Sequence, residues 1–286
     1  MPARPPVIEP PAAPRARGVF AGLPPGTVRL IQITDPHLYA DPAATLLGID
    51  TLASLDAVLR LIREEALPAD ALLATGDLVH DGSAAGYARL RERLAATVRP
   101  AYALPGNHDD PAAMAAALRE PPVTACRHVR FGDWSLVLLD STTPGEDGGF
   151  LTAGELAALD EHLRTGARHA VVCLHHPPLP IGSAWLDDMA LANADALFAI
   201  VDRHPSVRGV VFGHIHQPFD ATRGGVRLLG TPSTCVQFAE VRPRFGVDTQ
   251  PAGYRWLGLL PDGGIATGVR RLPAPASAVQ LDAAGY

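Results

Sequence analysis

The sequence predicts an α/β layered domain, and three observations predict it. Short apolar runs alternate with segments of helical spacing over the first two-thirds of the chain, and nearly every apolar run ends in a polar cluster. From about Val226 the helical segments stop, and residues 225–234, 253–260 and 265–272 read as consecutive strands of a second, mainly antiparallel sheet.

In chain order, residues 1–26 are rich in Pro and Ala and lack hydrophobic periodicity, so they are assigned to a flexible tail. A single domain over residues 27–272 follows, and residues 273–286 form a C-terminal tail. The apolar runs VRLIQI, ALLAT, AYAL, WSLVLL, AVVCL, VRGVVF and VRLLG each have the length of a buried strand. Between them, residues 51–67, 87–97, 152–165 and 193–204 carry helical spacing. Thr152, with Glu155 three residues on, and Asn193, before Asp195, mark two helix starts.

Composition narrows the function. The formal net charge is -6 and the 24 basic residues, all Arg, are scattered, which disfavours a nucleic-acid partner. No segment approaches the roughly 20 apolar residues of a membrane helix, and Pro and Arg interrupt the N-terminus where a signal-peptide core would lie. Cys126, Cys173 and Cys235 are odd in number and widely spaced, fitting neither a disulfide framework nor a Cys-x-x-Cys site. A soluble, cytoplasmic protein is expected.

The polar clusters carry the chemistry: Asp35-Pro36-His37, Gly76-Asp77, Gly106-Asn107-His108, His175-His176 and Gly213-His214-Ile215-His216. If their strands belong to one mostly parallel sheet, all five converge on a single edge, where open α/β sheets place ligands. Carboxylate, amide and imidazole donors without thiolate suit iron or manganese, with zinc as a further option. The Asp77 carboxylate can bridge two ions, dividing the donors into Asp35, His37, Asp77 and His216 for one, and Asp77, Asn107, His175 and His214 for the other. Two divalent ions on such a shell leave a residual charge of about +1 once a hydroxide bridges them, attracting an anionic phosphoester for in-line attack. His108, beside Asn107, is placed to act as general acid.

These clusters, in this order, resemble the calcineurin-like metallophosphoesterase family over residues 28–272. The resemblance implies a four-layer αββα sandwich of two mixed sheets flanked by helices, and the same seven metal ligands. It also implies that Asn107 and His108 contact substrate, within a substrate-facing set of His37, Asp77, Asn107, His108, His175 and His216. The segments HHPPLPIGSAWLD, FGHIHQ and TPSTCVQF are similar to class III cyclic-nucleotide phosphodiesterases. That similarity implies hydrolysis of 3',5'-cyclic AMP to 5'-AMP with iron, or manganese in its place.

Other residues are weighed against the site. His80, which follows the Gly76-Asp77 motif, reads either as facing the metal rim or, the preferred reading, as an exposed loop residue; His128, His162, His169 and His204 read as surface positions, and His176 is a neighbour of ligand His175. Trp185 reads equally as a lid over the substrate base or as a domain or subunit contact, which keeps a homodimer open. Thr234, Gln237 and Phe238 border the site by resemblance. Two other functions stay open: a broad phosphodiesterase acting on glycerophosphodiesters, 2',3'-cyclic nucleotides or a nucleotide-lipid pyrophosphate, and a non-catalytic binding module on the same fold.

Overall fold

The structure, a computed structural model, describes residues 18–275 and 277–285; the first 17 residues of the expected tail lie outside the described residues. Each sheet has two apolar faces to cover, and the chain covers them with four layers, helix–sheet–sheet–helix. The first sheet has the order Ile265–Arg271, Gly253–Leu259, Val28–Ile33, Ala71–Thr75, Ala101–Leu104, Val123–Ala125. Its last four strands are parallel, and Gly253–Leu259 joins Val28–Ile33 antiparallel. The second sheet runs Phe219–Arg223, Val226–Gly230, Val207–Phe212, His169–Cys173, Trp134–Leu138, His128–Phe131, parallel in the middle and antiparallel at both edges.

Side chains alternate across the strands as their period of two requires. Leu30, Leu73, Leu136, Val171, Val211 and Leu257 point between the sheets. Ile31, Ile33, Leu72 and Ala74 point outward, under Leu55, Leu59 and Ile62 of helix Thr51–Glu65 and Leu90 and Leu94 of helix Ala84–Ala95. On the opposite face Val137, Val172 and Val210 meet Leu159 of helix Ala153–Thr165 and Leu197 of helix Ala194–Val201. Thr152 caps its helix by accepting from Glu155 N at 3.1 Å. Asn193 holds the other cap position, but its Oδ1 accepts from Leu151 N at 2.9 Å.

All seven expected runs are strands, while two expectations about their grouping need correction. The C-terminal strands do not make a second, antiparallel sheet: Val226–Gly230 lies parallel to Val207–Phe212, and the last two long strands return to the first sheet beside Val28–Ile33. Nor do the five clusters share one sheet edge. Three follow strands of the first sheet and two follow strands of the second, and the sheets face each other so that these ends meet at one rim. The residues assigned to tails also pack at both ends of the described chain. Val19 N donates to Glu65 O at 2.9 Å and Phe20 lies edge-on to Trp256, while Gln280 N donates to Leu47 O at 2.9 Å. Among the described residues, no helix is long and apolar enough to cross a membrane.

Candidate metal centre

Each cluster sits where a strand turns off the rim. Asp35 N donates to Gly76 O and His37 N to Asp77 O, both at 3.0 Å, so the first two loops run side by side and hold their side chains in register. Asp35, His37, Asp77, His214 and His216 all have positive φ, between 46° and 67°. Residues with a Cβ avoid this conformation, and each instance costs about 1–3 kcal/mol. Such strain persists where the surroundings over-determine it, and here it aims five side chains inward. Two glycines make the approach possible: a Cβ at Gly76 would strike the His175 ring, and one at Gly106 the Asp77 carboxylate.

The donor atoms converge from both sheets. His216 Nε2 lies 3.3 Å from Asp35 Oδ1 and 3.2 Å from His37 Nε2. His175 Nε2 lies 3.2 Å from Asn107 Oδ1 and 3.3 Å from Asp77 Oδ2, which is itself 3.7 Å from His37 Nε2. Asp77 therefore stands between the two expected donor groups. The His214 ring lies 5.2 Å from that of His175, and its backbone N–H donates to Asp35 at 3.2 Å. All seven expected ligands are thus brought to one place.

The outward nitrogens fix the rings. His175 Nδ1 donates to Thr75 O at 2.9 Å, His216 Nδ1 donates to Val236 O at 2.8 Å, and His37 Nδ1 lies 3.1 Å from His80 Nδ1. The carbonyl bonds hold the Nδ1 side of His175 and His216 outward and turn Nε2 toward the other donors, the orientation a metal ligand needs. Against the upward pull of burial, the imidazoles of His175, His108 and His37 hold Asp77 well below the usual carboxylate range. Against the opposite pull of burial, the Asp77 and Asp35 carboxylates push His175 up to about 9. Burial lowers His37 and His214, which stay neutral.

The fit to cations can be read from atoms left over. Asp77 Oδ2 and both ring nitrogens of His214 are buried with no hydrogen-bond partner among the described residues. His169 Nε2, Trp185 Nε1, Gln217 Nε2 and Tyr254 OH are also buried without a partner, but the atoms of Asp77 and His214 are the ones that lie among other ligand-type side chains, a donor set that fits a cation. His176 is different, because its Nδ1 meets Ser141 Oγ at 2.8 Å and its Nε2 meets Asp147 O at 3.1 Å.

His108 stands half-buried at the rim, its N–H donating to Asp77 Oδ1 at 3.0 Å. Two residues that the expected set omits belong here. His80 stacks on His108 at 4.3 Å and backs His37, contrary to its preferred reading as an exposed loop residue. Its signal was its place three residues after Asp77. Asp109 is buried and accepts from Leu78 N, Val79 N, Gly106 N and Tyr87 OH, tying the Asp77 loop to the Asn107 loop. Burial, then the Asp77 charge, raises its pKa to about 6. Its position directly after Asn107-His108 was the available clue.

The bordering residues also gather. Phe238 stacks on His216 at 4.1 Å, Trp185 lies 5.0 Å from Phe238, and Thr234 N donates to Thr34 O. Gln237 Nε2 donates to Ser233 O at 2.8 Å, bracing that loop. The remaining histidines lie elsewhere: His128 stacks on His162 at 4.7 Å, His169 packs by Trp134, and His204 meets Asp160 at 2.9 Å.

Residues 28–218 match the model of the calcineurin-like phosphoesterase family. A Pseudomonas aeruginosa protein named 3',5'-cyclic adenosine monophosphate phosphodiesterase CpdA is 41% identical, over 91% of this chain and 96% of its own length. The Escherichia coli K12 protein of the same name is 42% identical over 86% and 90% of the two chains. A solved structure of a dimetal phosphatase from Danio rerio superposes with a TM-score of 0.63, at 14% identity over 86% of this chain and 96% of that one, a likeness of fold.

Proposed function

The chain belongs to the calcineurin-like phosphoesterase family, and from that premise we propose that it hydrolyses 3',5'-cyclic AMP to 5'-AMP as a metal-dependent phosphodiesterase. What carries the reading is Asp77 Oδ2, buried without a hydrogen-bond partner between His37 Nε2 at 3.7 Å and His175 Nε2 at 3.3 Å. Asp35, His37, Asp77 and His216 would hold one ion, and Asp77, Asn107, His175 and His214 the other. Iron or manganese suits these donors, with zinc as the further option. Bound there, two ions neutralise phosphoryl oxygens and activate water as a nucleophile.

The chain's own residues do the rest. Asn107 and His108 face the open side of the site, where a phosphodiester would lie. The bond to the 3'-oxygen breaks as water adds to phosphorus, His108 gives a proton to the departing alkoxide, and the proton lost by the attacking water passes to solvent, from which His108 is reprotonated. The names of the relatives support cyclic AMP as substrate. We place the enzyme in the cytoplasm, in keeping with the free cysteines Cys126, Cys173 and Cys235.

The test is hydrolysis by the iron- or manganese-loaded protein of cyclic AMP, a glycerophosphodiester and a 2',3'-cyclic nucleotide, side by side. Cyclic AMP left intact while another ester is cleaved would overturn the substrate. For His108, the His108→Ala variant is expected to keep its metal and lose about 10²–10⁴-fold in turnover on cyclic AMP. Unchanged turnover would remove His108 from proton transfer.

A further inference from the structure

Two depressions open beside the candidate metal centre, and they differ in chemistry. One, lined by Asp81, Asp110, Thr142 and Thr143 together with Asn107 and His108, is polar and acidic. The other, of about 190 Å³, shares Asn107 and His108, reaches His214, and is walled by Trp185, Met189 and Phe245, with Asp147 as its one carboxylate. The rings of Trp185 and Phe245 lie 5.1 Å apart at 70°, and both pack on Phe238, which also stacks on His216. An aromatic ladder therefore runs from an expected metal ligand to the cavity wall.

One residue of the cavity wall, Gly285, comes from chain that the sequence assigns to a tail. Residues 277–285 cross the hairpin formed by Thr45–Leu46 and Ile49–Asp50, where Gln280 N donates to Leu47 O at 2.9 Å. Val279 and Ala283 pack against the outer core, and Gly285 lines the cavity.

We propose that this aromatic cavity seats the nucleobase of the substrate, with the C-terminal strap contributing to its wall. The inference rests on the reading of the protein as a cyclic-nucleotide phosphodiesterase, and adds where the base goes. A planar heterocycle gains from aromatic faces whatever its sequence of edge groups, and a methionine fills the irregular remainder. The acidic depression offers no such plane beyond His80 and His108, and it gathers Asp81, Asp109 and Asp110 against the single Asp147 of the aromatic cavity, a poorer setting for an anionic ligand. A nucleotide spanning the aromatic cavity keeps its phosphate at the Asn107–His108 end.

Isothermal titration of the manganese-loaded protein with 5'-AMP and with ribose 5-phosphate isolates the base, because the two ligands share sugar and phosphate. Wild type is expected to bind 5'-AMP at least about tenfold more tightly. In Trp185→Ala, and independently in Phe245→Ala should the first fail to fold, the preference is expected to shrink below about threefold. Equal affinities in wild type, or a tenfold preference retained in a folded variant, would overturn the proposal. Protein that leaves cyclic AMP intact yet shows the base preference would sink the substrate reading alone; protein that cleaves cyclic AMP without the preference would sink the base site alone.

Discussion

His80 shows how one side chain can serve two others. With His37 Nε2 committed to a metal ion, the His37 proton would sit on Nδ1, 3.1 Å from His80 Nδ1, which could accept it. Burial, then the neighbouring His108, lowers the His80 pKa to about 4, so at neutral pH it is an imidazole able to accept that proton. The same ring stacks on His108 at 4.3 Å and 20°. Outer partners of metal-bound histidines typically contribute 10–100-fold in metal affinity. His80→Ala is therefore expected to weaken manganese binding by about that factor, measured by titration, with partial recovery in His80→Asn, whose amide oxygen can accept. Binding as tight as wild type in His80→Ala would show that His37 needs no such support.

Between the sheets, the strands are fastened by a polar network as well as by leucines. Gln32 donates from Nε2 to Phe212 O at 3.2 Å and its Oε1 accepts from Thr231 Oγ1 at 2.7 Å, linking Val28–Ile33 to the second sheet. Arg255, on Gly253–Leu259, is buried and donates to Gly230 O at 2.6 Å, Phe219 O at 3.2 Å, Thr231 Oγ1 and Thr267 Oγ1. Burial lowers its pKa to about 10, still charged at neutral pH. Arg255→Met is expected to destabilise by about 1–3 kcal/mol for each carbonyl left unpaired, seen as a lower Tm. A Tm within about 1 °C of wild type would mean that water replaces the guanidinium.

This network also explains what was legible beforehand. The seven central strands were readable because both faces are apolar, and the helices because their buried stripes repeat at helical spacing. Val123–Ala125, His128–Phe131 and Phe219–Arg223 were not, being edge strands of mixed polarity and partial exposure. Pairing was harder still. The residues of Gly253–Leu259 suit either sheet, and the choice is made by long-range hydrogen bonds that no local pattern encodes. The donor clusters were legible because each ends a readable strand, whereas His80 could be read as facing the rim or as exposed, since its burial depends on a His37 ring brought in from another loop.

At the scale of the whole molecule, the candidate metal centre is a clasp between the sheets. Asp35, His37, Asp77 and Asn107 come from loops of the first sheet, and His175, His214 and His216 from loops of the second. Without ions, this rim gathers strained backbone at five donor residues and buried, unpartnered atoms at Asp77 and His214, all of which oppose closure. Ions that bind only the folded protein offset this by mass action, about 2.7 kcal/mol at a hundredfold excess over Kd. Chelation is thus expected to lower the Tm, and added manganese to raise it in proportion to the logarithm of its concentration. The loss should be local before it is global. Gly213 N, which donates to His175 O, and Thr234 N, which donates to Thr34 O, lie at the clasp, whereas Leu72 N, bonded to Pro100 O, lies at the far end of its strand. Amide exchange at Gly213 and Thr234 is expected to accelerate on chelation well before exchange at Leu72. Equal acceleration at all three would mean that the ions stabilise the fold as a whole, and an unchanged Tm would mean that the seven donors hold no ion.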